Sequence, residues 1–296
     1  MEPGRDAGAP NAARADAPAR EAGLAWLEAS GVPASAKLAC RIGARFMPDC
    51  TARTGARRAA PPGILGTVNH PPRKPVMHVT AHPSILYFGT PVALLATVNA
   101  DGSHNLAPMS SVFWLGWRCF LGLQGSSKTT ENLRRTRQLV VNLPSPELVG
   151  AVDRLARTTG SNPVPQDKLE RGYRHEQDKF GVAGLTALPA ETVLAPRVAE
   201  CPVQLEAVLE DEHAYDAEGP MSGFIAILEA RITRVHVDRA ILMDGHPNRI
   251  DPDKWRPLIM SFQEYYGLGP KLHPSRLGEI PEELYRTPDF ERAVEA

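Results

Sequence analysis

The turn sequence Asn99-Ala-Asp-Gly102 constrains the fold of this 296-residue chain more than any other feature. The apolar run Val92 to Val98 precedes it, and Gly102 can supply the positive φ of a tight hairpin turn. The partner strand is expected from His104 to Trp114. Within it, Pro108 marks an edge strand or a bulge, because proline cannot donate a hydrogen bond to a neighbouring strand. The sequence therefore predicts an antiparallel sheet here.

A third strand and a helix are expected after this hairpin. The strand covers Trp117 to Leu123, and the start of the helix is rich in side chains that donate hydrogen bonds to anions: Ser126, Ser127, Lys128, Thr129 and Thr130. A helix N-terminus favours phosphate because its first N–H groups lack partners and its dipole is positive there. The sequence predicts an anion site at this point. The alternative is that these residues only cap a surface helix.

The stretch Gly122 to Thr129 differs by one residue from a Walker A phosphate loop, because Ser127 stands where the second glycine belongs. Two observations count against a nucleotide triphosphatase. The preceding strand is reached through a tight hairpin, which makes the local sheet antiparallel. No apolar strand ends in a convincing carboxylate partner for magnesium. A P-loop protein is kept only as a remote alternative.

Three motifs in a fixed order resemble the flavin reductase-like family of FMN-binding split barrels. They are Asp101-Gly-Ser-His-Asn-Leu-Ala-Pro-Met-Ser110, Lys128-Thr-Thr-Glu-Asn132 and Val140-Val-Asn-Leu-Pro144. The resemblance runs from about Pro83 to Gly267. It implies a mainly β fold, a split β-barrel with peripheral helices. Lys128 replaces an acidic residue of the family motif, which implies that the phosphate contacts are shifted by one residue.

The same resemblance assigns roles to single residues. It places Asn105, Ala107 and Ser110 along the isoalloxazine ring and ribityl chain, places Lys128, Thr129 and Thr130 around the phosphate, and makes Asn132 a brace for the loop. The complete set of expected FMN-binding residues is Asn105, Ala107, Pro108, Ser110, Ser111, Ser126, Ser127, Lys128, Thr129, Thr130 and Asn132. No catalytic side chain is expected, because the flavin supplies the redox chemistry. No metal ligand is expected, because the histidines and cysteines form no metal-binding motif.

The activity implied by the resemblance is that of an FMN-binding oxidoreductase. NADH or NADPH would pass hydride to the bound flavin, and the electrons would leave to a second flavin, an iron complex or a partner protein. A homodimer is implied, with residues of the second subunit completing the site. The alternative is a split barrel that binds flavin or haem without reductase activity and serves as a carrier or sensor.

Composition is compatible with this hypothesis. The chain has 33 Lys and Arg against 34 Asp and Glu, so no large field favours nucleic acid or an anionic membrane. Its four cysteines lack metal-site spacing, and Cys119 and Cys201 are expected to be buried thiols. No apolar run is long enough to span a bilayer, and no secretory signal pattern is present. These features predict a cytoplasmic protein.

Three segments are expected along the chain. Residues 1–76 form an Ala-, Arg- and Pro-rich extension with eleven Lys and Arg against six Asp and Glu, which predicts disorder because few apolar residues are available for burial. A transit-like peptide and a translation start at Met77 are alternatives for this segment. Residues 77–267 form the barrel domain, and residues 268–296 a tail of extended chain.

The second half of the domain is predicted to alternate helices, loops and strands. A helix is expected over Pro146 to Thr158 and another opening at Asp251-Pro252. Between Ser161 and Gly181 the chain is polar and predicted to be either a solvated loop or a mobile lid. The lid hypothesis rests on the family resemblance, in which a Lys-Phe pair similar to Lys179-Phe180 recurs near the flavin.

Three further strands are expected, at Val193 to Val198, Val203 to Leu209 and Phe224 to Val237. The last one shows the clearest alternation of apolar and polar residues. We expect its core side chains to be Ile225, Ile227, Ile232 and Val235, and its surface side chains to be Arg231 and Arg234.

Overall fold

The computed structural model describes residues 76–295, so the predicted disordered extension lies outside the described residues except for Val76. The strands are β1 (Thr90–Pro91), β2 (Ala93–Val98), β3 (His104–Met109), β4 (Val112–Leu115), β5 (Arg118–Gln124), β6 (Gln138–Leu143), β7 (Thr158–Thr159), β8 (Arg174–His175), β9 (Ala187–Leu188), β10 (Arg197–Val198), β11 (Val203–His213), β12 (Ile225–Val237), β13 (Leu258–Ser261) and β14 (Glu264–Gly267). The α-helices are α1 (Lys128–Thr136), α2 (Val149–Leu155), α3 (Gln166–Glu170), α4 (Lys179–Ala183) and α5 (Pro288–Glu295).

Seven strands form one antiparallel sheet in the order β3-β2-β6-β11-β12-β5-β4. β3 and β4 lie at opposite edges of this sheet, yet only Ser110 and Ser111 separate them along the chain. The N–H of Gly122 on β5 donates to the carbonyl oxygen of Ser111 at 2.9 Å. The sheet therefore curls until its two edges meet at the two serines. The mainly β architecture and the position of Pro108 on an edge strand are both confirmed.

Side chains on the two faces of this sheet form two separate cores, because successive residues of a strand point to opposite faces. One core contains Leu95, Leu121 and Leu228, which belong to three different strands of the barrel. The other lies between the sheet and the covering helices, where Leu94 and Leu106 pack with residues of α2 and α4. Each buried leucine contributes about 1.5–3 kcal/mol relative to an exposed one.

The predicted hairpin is present, with Val98 paired to His104 and Ala93 paired to Met109. Gly102 adopts a φ of +85°, and its N–H donates to the carbonyl oxygen of Asn99 at 3.1 Å. The partner strand is not continuous to Trp114 as predicted, because it is interrupted at the serine junction between β3 and β4.

β12 is a strand as predicted, but half of its core assignment is wrong. The buried residues are Ala226, Leu228, Ala230 and Ile232, whereas Ile225 and Ile227 lie on the opposite, half-buried face. Glu206 of β11 pairs with Arg234 and Ala207 pairs with Ile232, so Thr233 is an extra residue in the ladder. This bulge shifts the alternation by one residue. It explains why Ile232 and Val235 pack on the same core as predicted.

Three other expectations about the second half are corrected. The strand expected from Val193 is reduced to β10, and the helix expected at Asp251 is only a turn, because Pro257 prevents a helix from continuing toward Ile259. Residues 161–181 are not an unstructured loop, since they contain α3, β8 and α4. The helix predicted from Pro146 is confirmed as a 3₁₀ turn followed by α2.

The C-terminal residues are not simply extended chain. They contain two 3₁₀ turns, Arg276–Glu279 and Glu282–Tyr285, followed by α5. The ring of Phe290 on α5 packs edge-on against Trp117 with centroids 5.2 Å apart. The Arg118 guanidinium also donates to the Asp289 carboxylate at 2.7 Å. The end of the chain is thus held against the turn between β4 and β5.

Candidate functional site

The strand motif and the helix motif meet through one buried amide. The side chain of Asn105 on β3 is 2 % exposed, and its Nδ2 donates to Thr129 Oγ1 at 3.1 Å and to Thr97 Oγ1 at 3.2 Å. Residues 24 positions apart in sequence are therefore in direct contact. The first turn of α1 is fixed against the edge strand of the barrel by this contact.

Asn132 makes a second link between α1 and the hairpin. Its side chain is fully buried, and its Nδ2 donates to Thr97 Oγ1 at 3.1 Å and to Asn99 Oδ1 at 2.8 Å. Thr97 accepts from both asparagines. Asn132 therefore braces the helix start against the hairpin turn, and its buried amide is not free to contact a ligand.

Two of the predicted phosphate ligands make hydrogen bonds within the start of the helix itself. Ser127 is the N-cap, and its Oγ accepts from the Thr130 N–H at 3.1 Å. The buried Thr130 hydroxyl donates to the Gln124 carbonyl oxygen at 2.9 Å. The backbone N–H groups of Lys128 and Thr129 lie in the first turn, where they have no acceptor within the helix. These N–H groups, the hydroxyls of Thr129 and Ser126, which accept from Asn105 and Gln124, and nearby side-chain cations are donors available to an anion.

Lys128 lies at the first position of α1 and supplies a full positive charge. Its Nζ is 2.8 Å from both carboxylate oxygens of Glu131, whose side chain is 59 % exposed. An ion pair that is this exposed contributes about 0–1 kcal/mol, so an incoming phosphate can compete with the carboxylate for the ammonium. Glu131 is thus a competitor for the predicted phosphate position.

The remaining predicted residues lie on two sides of this centre. Ala107 and Pro108 follow Asn105 along β3 and are half-buried. Ser110 and Ser111 lie at the junction of β3 and β4, where Ser111 Oγ is 3.0 Å from the Tyr87 hydroxyl. Ser126 is exposed, and its Oγ accepts from Gln124 Nε2 at 3.1 Å. A cleft of about 510 Å³ opens beside this residue and is lined by Gly125, Ser126, Glu131, Arg134 and Arg135.

Gly160 belongs to this site and was missed by the sequence prediction, which begins the neighbouring loop one residue later. A Cβ atom at Gly160 would lie 2.8 Å from Asn105 Oδ1 and 3.0 Å from Lys128 Cγ. Only glycine permits the backbone to approach the two motifs this closely. Its signal in the sequence was weak, a run of small residues from Thr158 to Ser161 shortly after the helix that ends at Leu155.

Two lysines of the predicted lid are buried, one against β3 and the other against β7. Lys179 is 2 % exposed, and its Nζ donates to the Leu106 carbonyl oxygen at 3.3 Å. Lys168 is 8 % exposed, and its Nζ lies 3.5 Å from Thr159 Oγ1. Burial, reinforced by the charge of Lys168, lowers the pKa of Lys179 to about 8, and burial also lowers the pKa of Lys168. Whether the segment moves as a lid stays a prediction.

Residues 76–295 give little indication of a metal site, a reactive thiol or a membrane-spanning helix. No group of three or more His, Cys, Asp or Glu side chains there is arranged to hold a metal ion. Cys119 and Cys201 are buried as predicted, and burial raises the pKa of the Cys119 thiol to about 12. Among these residues, no helix has the length and apolar character to cross a membrane.

The Walker-like stretch lies in an antiparallel setting. β5 pairs antiparallel with both β4 and β12, whereas a P-loop follows a strand of a parallel sheet. Gly125 is required for a different reason, since any Cβ there would collide with the carbonyl group of Gly223. The stretch Gly122 to Thr129 is therefore a strand-to-helix turn of the barrel.

Comparisons with known proteins agree with this architecture. The family model described as "Flavin reductase like domain" matches residues 85–269. YdfE of Bacillus subtilis (strain 168), an uncharacterized protein, is 39 % identical over 187 residues, which cover 63 % of this chain and 87 % of that protein.

Solved structures show the same fold. Flavoredoxin of Desulfovibrio vulgaris (Miyazaki F) matches with a TM-score of 0.56 and 22 % identity, covering 69 % of this chain and all of that one. Nitrilotriacetate monooxygenase component B from Bacillus cereus matches with a TM-score of 0.51 and 23 % identity, covering 64 % and 89 %. The predicted split-barrel fold is confirmed, and this chain belongs to the flavin reductase-like family.

Proposed function

We propose that this protein is an FMN-binding oxidoreductase that accepts hydride from NADH or NADPH and passes electrons to a second flavin or another acceptor. Family membership supports a flavin as the cofactor. The observation that carries the proposal for this chain is the Asn105 to Thr129 hydrogen bond, which joins the two motifs at one position. A single ligand is then able to place its ring along β3 and its phosphate at the start of α1.

The residues present fit such a cofactor. The free N–H groups of Lys128 and Thr129 and the Lys128 ammonium would hold the phosphate, with roughly 1.5–3 kcal/mol from each charge-assisted hydrogen bond. Ala107 and Pro108 offer a half-buried wall for a flat ring. When bound, FMN supplies the hydride-accepting chemistry, so the protein needs only to bind, orient and shield it.

A homodimer and a cytoplasmic location stay predictions. Large apolar side chains exposed beside the serine junction support an interface there. Phe113 is 53 % exposed and Leu115 is 64 % exposed, both on the edge strand β4. Such a patch is typical of a surface that another chain covers, and a second copy placed there would lie next to Ser111.

A Gly160→Val variant tests where the cofactor binds. Its side chain must displace the Asn105 amide and the Lys128 stem, so we expect FMN affinity to fall by about tenfold or more, equivalent to ~1.4 kcal/mol. The measurement is a fluorescence titration of FMN with purified protein. Gly269→Val is the matched control, since no atom lies within 4 Å of its added Cβ.

The control should bind FMN like the natural protein. If Gly160→Val retains its fold by circular dichroism and also binds FMN with unchanged affinity, the site beside Asn105 and Lys128 is wrong. Should valine prevent folding, Gly160→Ala is the smaller change, and we expect it to weaken binding in the same direction.

A further inference from the structure

Two of the five lysines between residues 76 and 295 are buried without an anionic partner. The other three, Lys128, Lys254 and Lys271, pair with carboxylates. Lys168 and Lys179 have only a threonine hydroxyl and a backbone carbonyl as their hydrogen-bond acceptors. Both are at least nine-tenths buried.

The carboxylates of the same segment are engaged elsewhere. Asp167 pairs with Arg171, and Asp178 accepts from the Gly181 N–H as the cap of α4. Glu176 accepts from the Asp178 N–H, and Glu170 accepts from Gln166. The described part of the chain therefore provides no carboxylate within ion-pair distance of either buried ammonium.

This arrangement is costly for a purely structural pair. Taking an ammonium out of water costs several kcal/mol unless an opposite charge compensates it, and two neighbouring ammonium groups repel each other. Covering the Leu106 carbonyl oxygen requires only a neutral donor. Asp167 and Glu176 offset part of these charges from a distance, and the Tyr173 ring lies 5.9 Å from Lys168 Nζ, but no carboxylate of the described residues touches either ammonium. Such a pair fits a site whose direct counter-charge arrives with a ligand.

The pair lies beside the predicted ring position. Leu106, the acceptor of Lys179, stands between Asn105 and Ala107 on β3. Thr159, the neighbour of Lys168, directly precedes Gly160. The two ammonium groups therefore flank the strand and the loop that would contact the ring, while the cofactor phosphate is assigned to the start of α1.

Reduction creates the missing negative charge on the ring. A hydride carries two electrons and one proton from the reduced nicotinamide, which leaves as its oxidised form. The neutral oxidised ring takes up that hydride and gains one negative charge, with no proton required from solvent. The phosphate charge does not change in this step.

We propose that Lys168 and Lys179 form a cationic pair that binds the reduced, anionic flavin ring in preference to the oxidised, neutral ring. This inference rests on the proposed function. Its consequence is that reduced FMN stays on the protein after hydride transfer. This favours an electron acceptor that comes to the bound flavin over a role in which free reduced FMN is released as the product.

The test compares FMN dissociation constants in the oxidised state and, without oxygen, in the dithionite-reduced state. We expect the natural protein to bind reduced FMN at least about tenfold more tightly than oxidised FMN. In Lys179→Met and Lys168→Met this ratio should fall by about tenfold, which lowers the two-electron midpoint potential of the bound flavin by about 30 mV. Lys168→Arg should keep the ratio, because it keeps the charge.

Lys254→Met is the matched control, because Lys254 is a partly exposed lysine that already pairs with Asp244. It should leave the ratio unchanged. A protein that binds FMN with the same ratio in all variants would overturn the inference and leave the proposed function intact. A natural protein that binds FMN in neither state would overturn both.

Discussion

A Glu206→Leu variant is expected to lose about 3–5 kcal/mol of unfolding free energy, the cost of removing one member of a buried charged network. Glu206 on β11 is fully buried and accepts from the Glu191 N–H at 2.9 Å and the Thr192 N–H at 2.5 Å. It also accepts from the Thr192 hydroxyl at 2.7 Å and lies 2.7 Å from His236 Nε2. Leucine leaves both N–H groups without this acceptor and removes the partner of His236, and urea denaturation measures the loss.

The matched control is Glu210→Leu on the same strand. Glu210 pairs with Arg231 at 2.7 Å, but its side chain is 35 % exposed, so its loss should cost less than about 1 kcal/mol. If Glu206→Leu and Glu210→Leu lose the same unfolding free energy, the buried Glu206 network stabilises the fold no more than the surface ion pair does.

The same network predicts a response to acid. Burial alone would raise the pKa of Glu206, but the hydrogen bonds from Glu191 and Thr192 hold it below its ordinary value. The folded state therefore binds fewer protons at this site than the unfolded state. Its stabilisation is present above the unfolded-state pKa of about 4.3 and is lost as the pH falls through the folded value. Glu206→Gln should show a weaker loss of stability over this acidic range.

A Lys128→Ala variant is expected to weaken FMN binding by about 10- to 100-fold, since one charge-assisted hydrogen bond contributes roughly 1.5–3 kcal/mol. Glu131→Gln should have the opposite effect. It removes the carboxylate that holds the Lys128 ammonium at 2.8 Å, so the ammonium becomes free for the phosphate. Fluorescence titration of FMN measures both changes.

The opposite signs of these two changes separate a phosphate ligand from a helix cap. If Lys128 only stabilises the first turn of α1 through Glu131, both variants should lower helix stability and neither should change FMN affinity. Unchanged affinity in Lys128→Ala would remove this residue from the phosphate site. Riboflavin, which lacks the phosphate, should bind the natural protein and Lys128→Ala equally well.

The elements near the hairpin could be predicted because local chemistry decides them. Gly102 fixes the turn, and Ser127 caps α1. Which residues of β12 face the core could not be predicted in the same way, because the bulge at Thr233 depends on pairing with β11. The helix expected at Asp251 failed for a related reason. Asp251-Pro252 is typical of a helix start, but Pro257, six residues later, prevents the helix from continuing.

The sequence was enough to predict which kinds of residue the candidate site contains, but not which of them contact each other. The motif order placed Asn105 and Thr129 in one site, but their hydrogen bond spans 24 residues and depends on how the barrel curls. Gly160 and the buried Lys168 gave no strong signal, because a glycine or a lysine in a polar stretch is ordinarily solvated. Their roles follow from tertiary packing of the segment after α2.

Anaerobic reduction shows whether this chain holds a flavin that a nicotinamide reduces. The protein is loaded with FMN, freed of excess cofactor and oxygen, and mixed with NADH or NADPH while its visible flavin absorbance is followed. We expect bleaching by at least one of the two nicotinamides, followed by recovery of the colour when an electron acceptor is added. A yellow protein inert to both nicotinamides would contradict the oxidoreductase and favour a flavin carrier or sensor. A protein that takes up no FMN would contradict both functions.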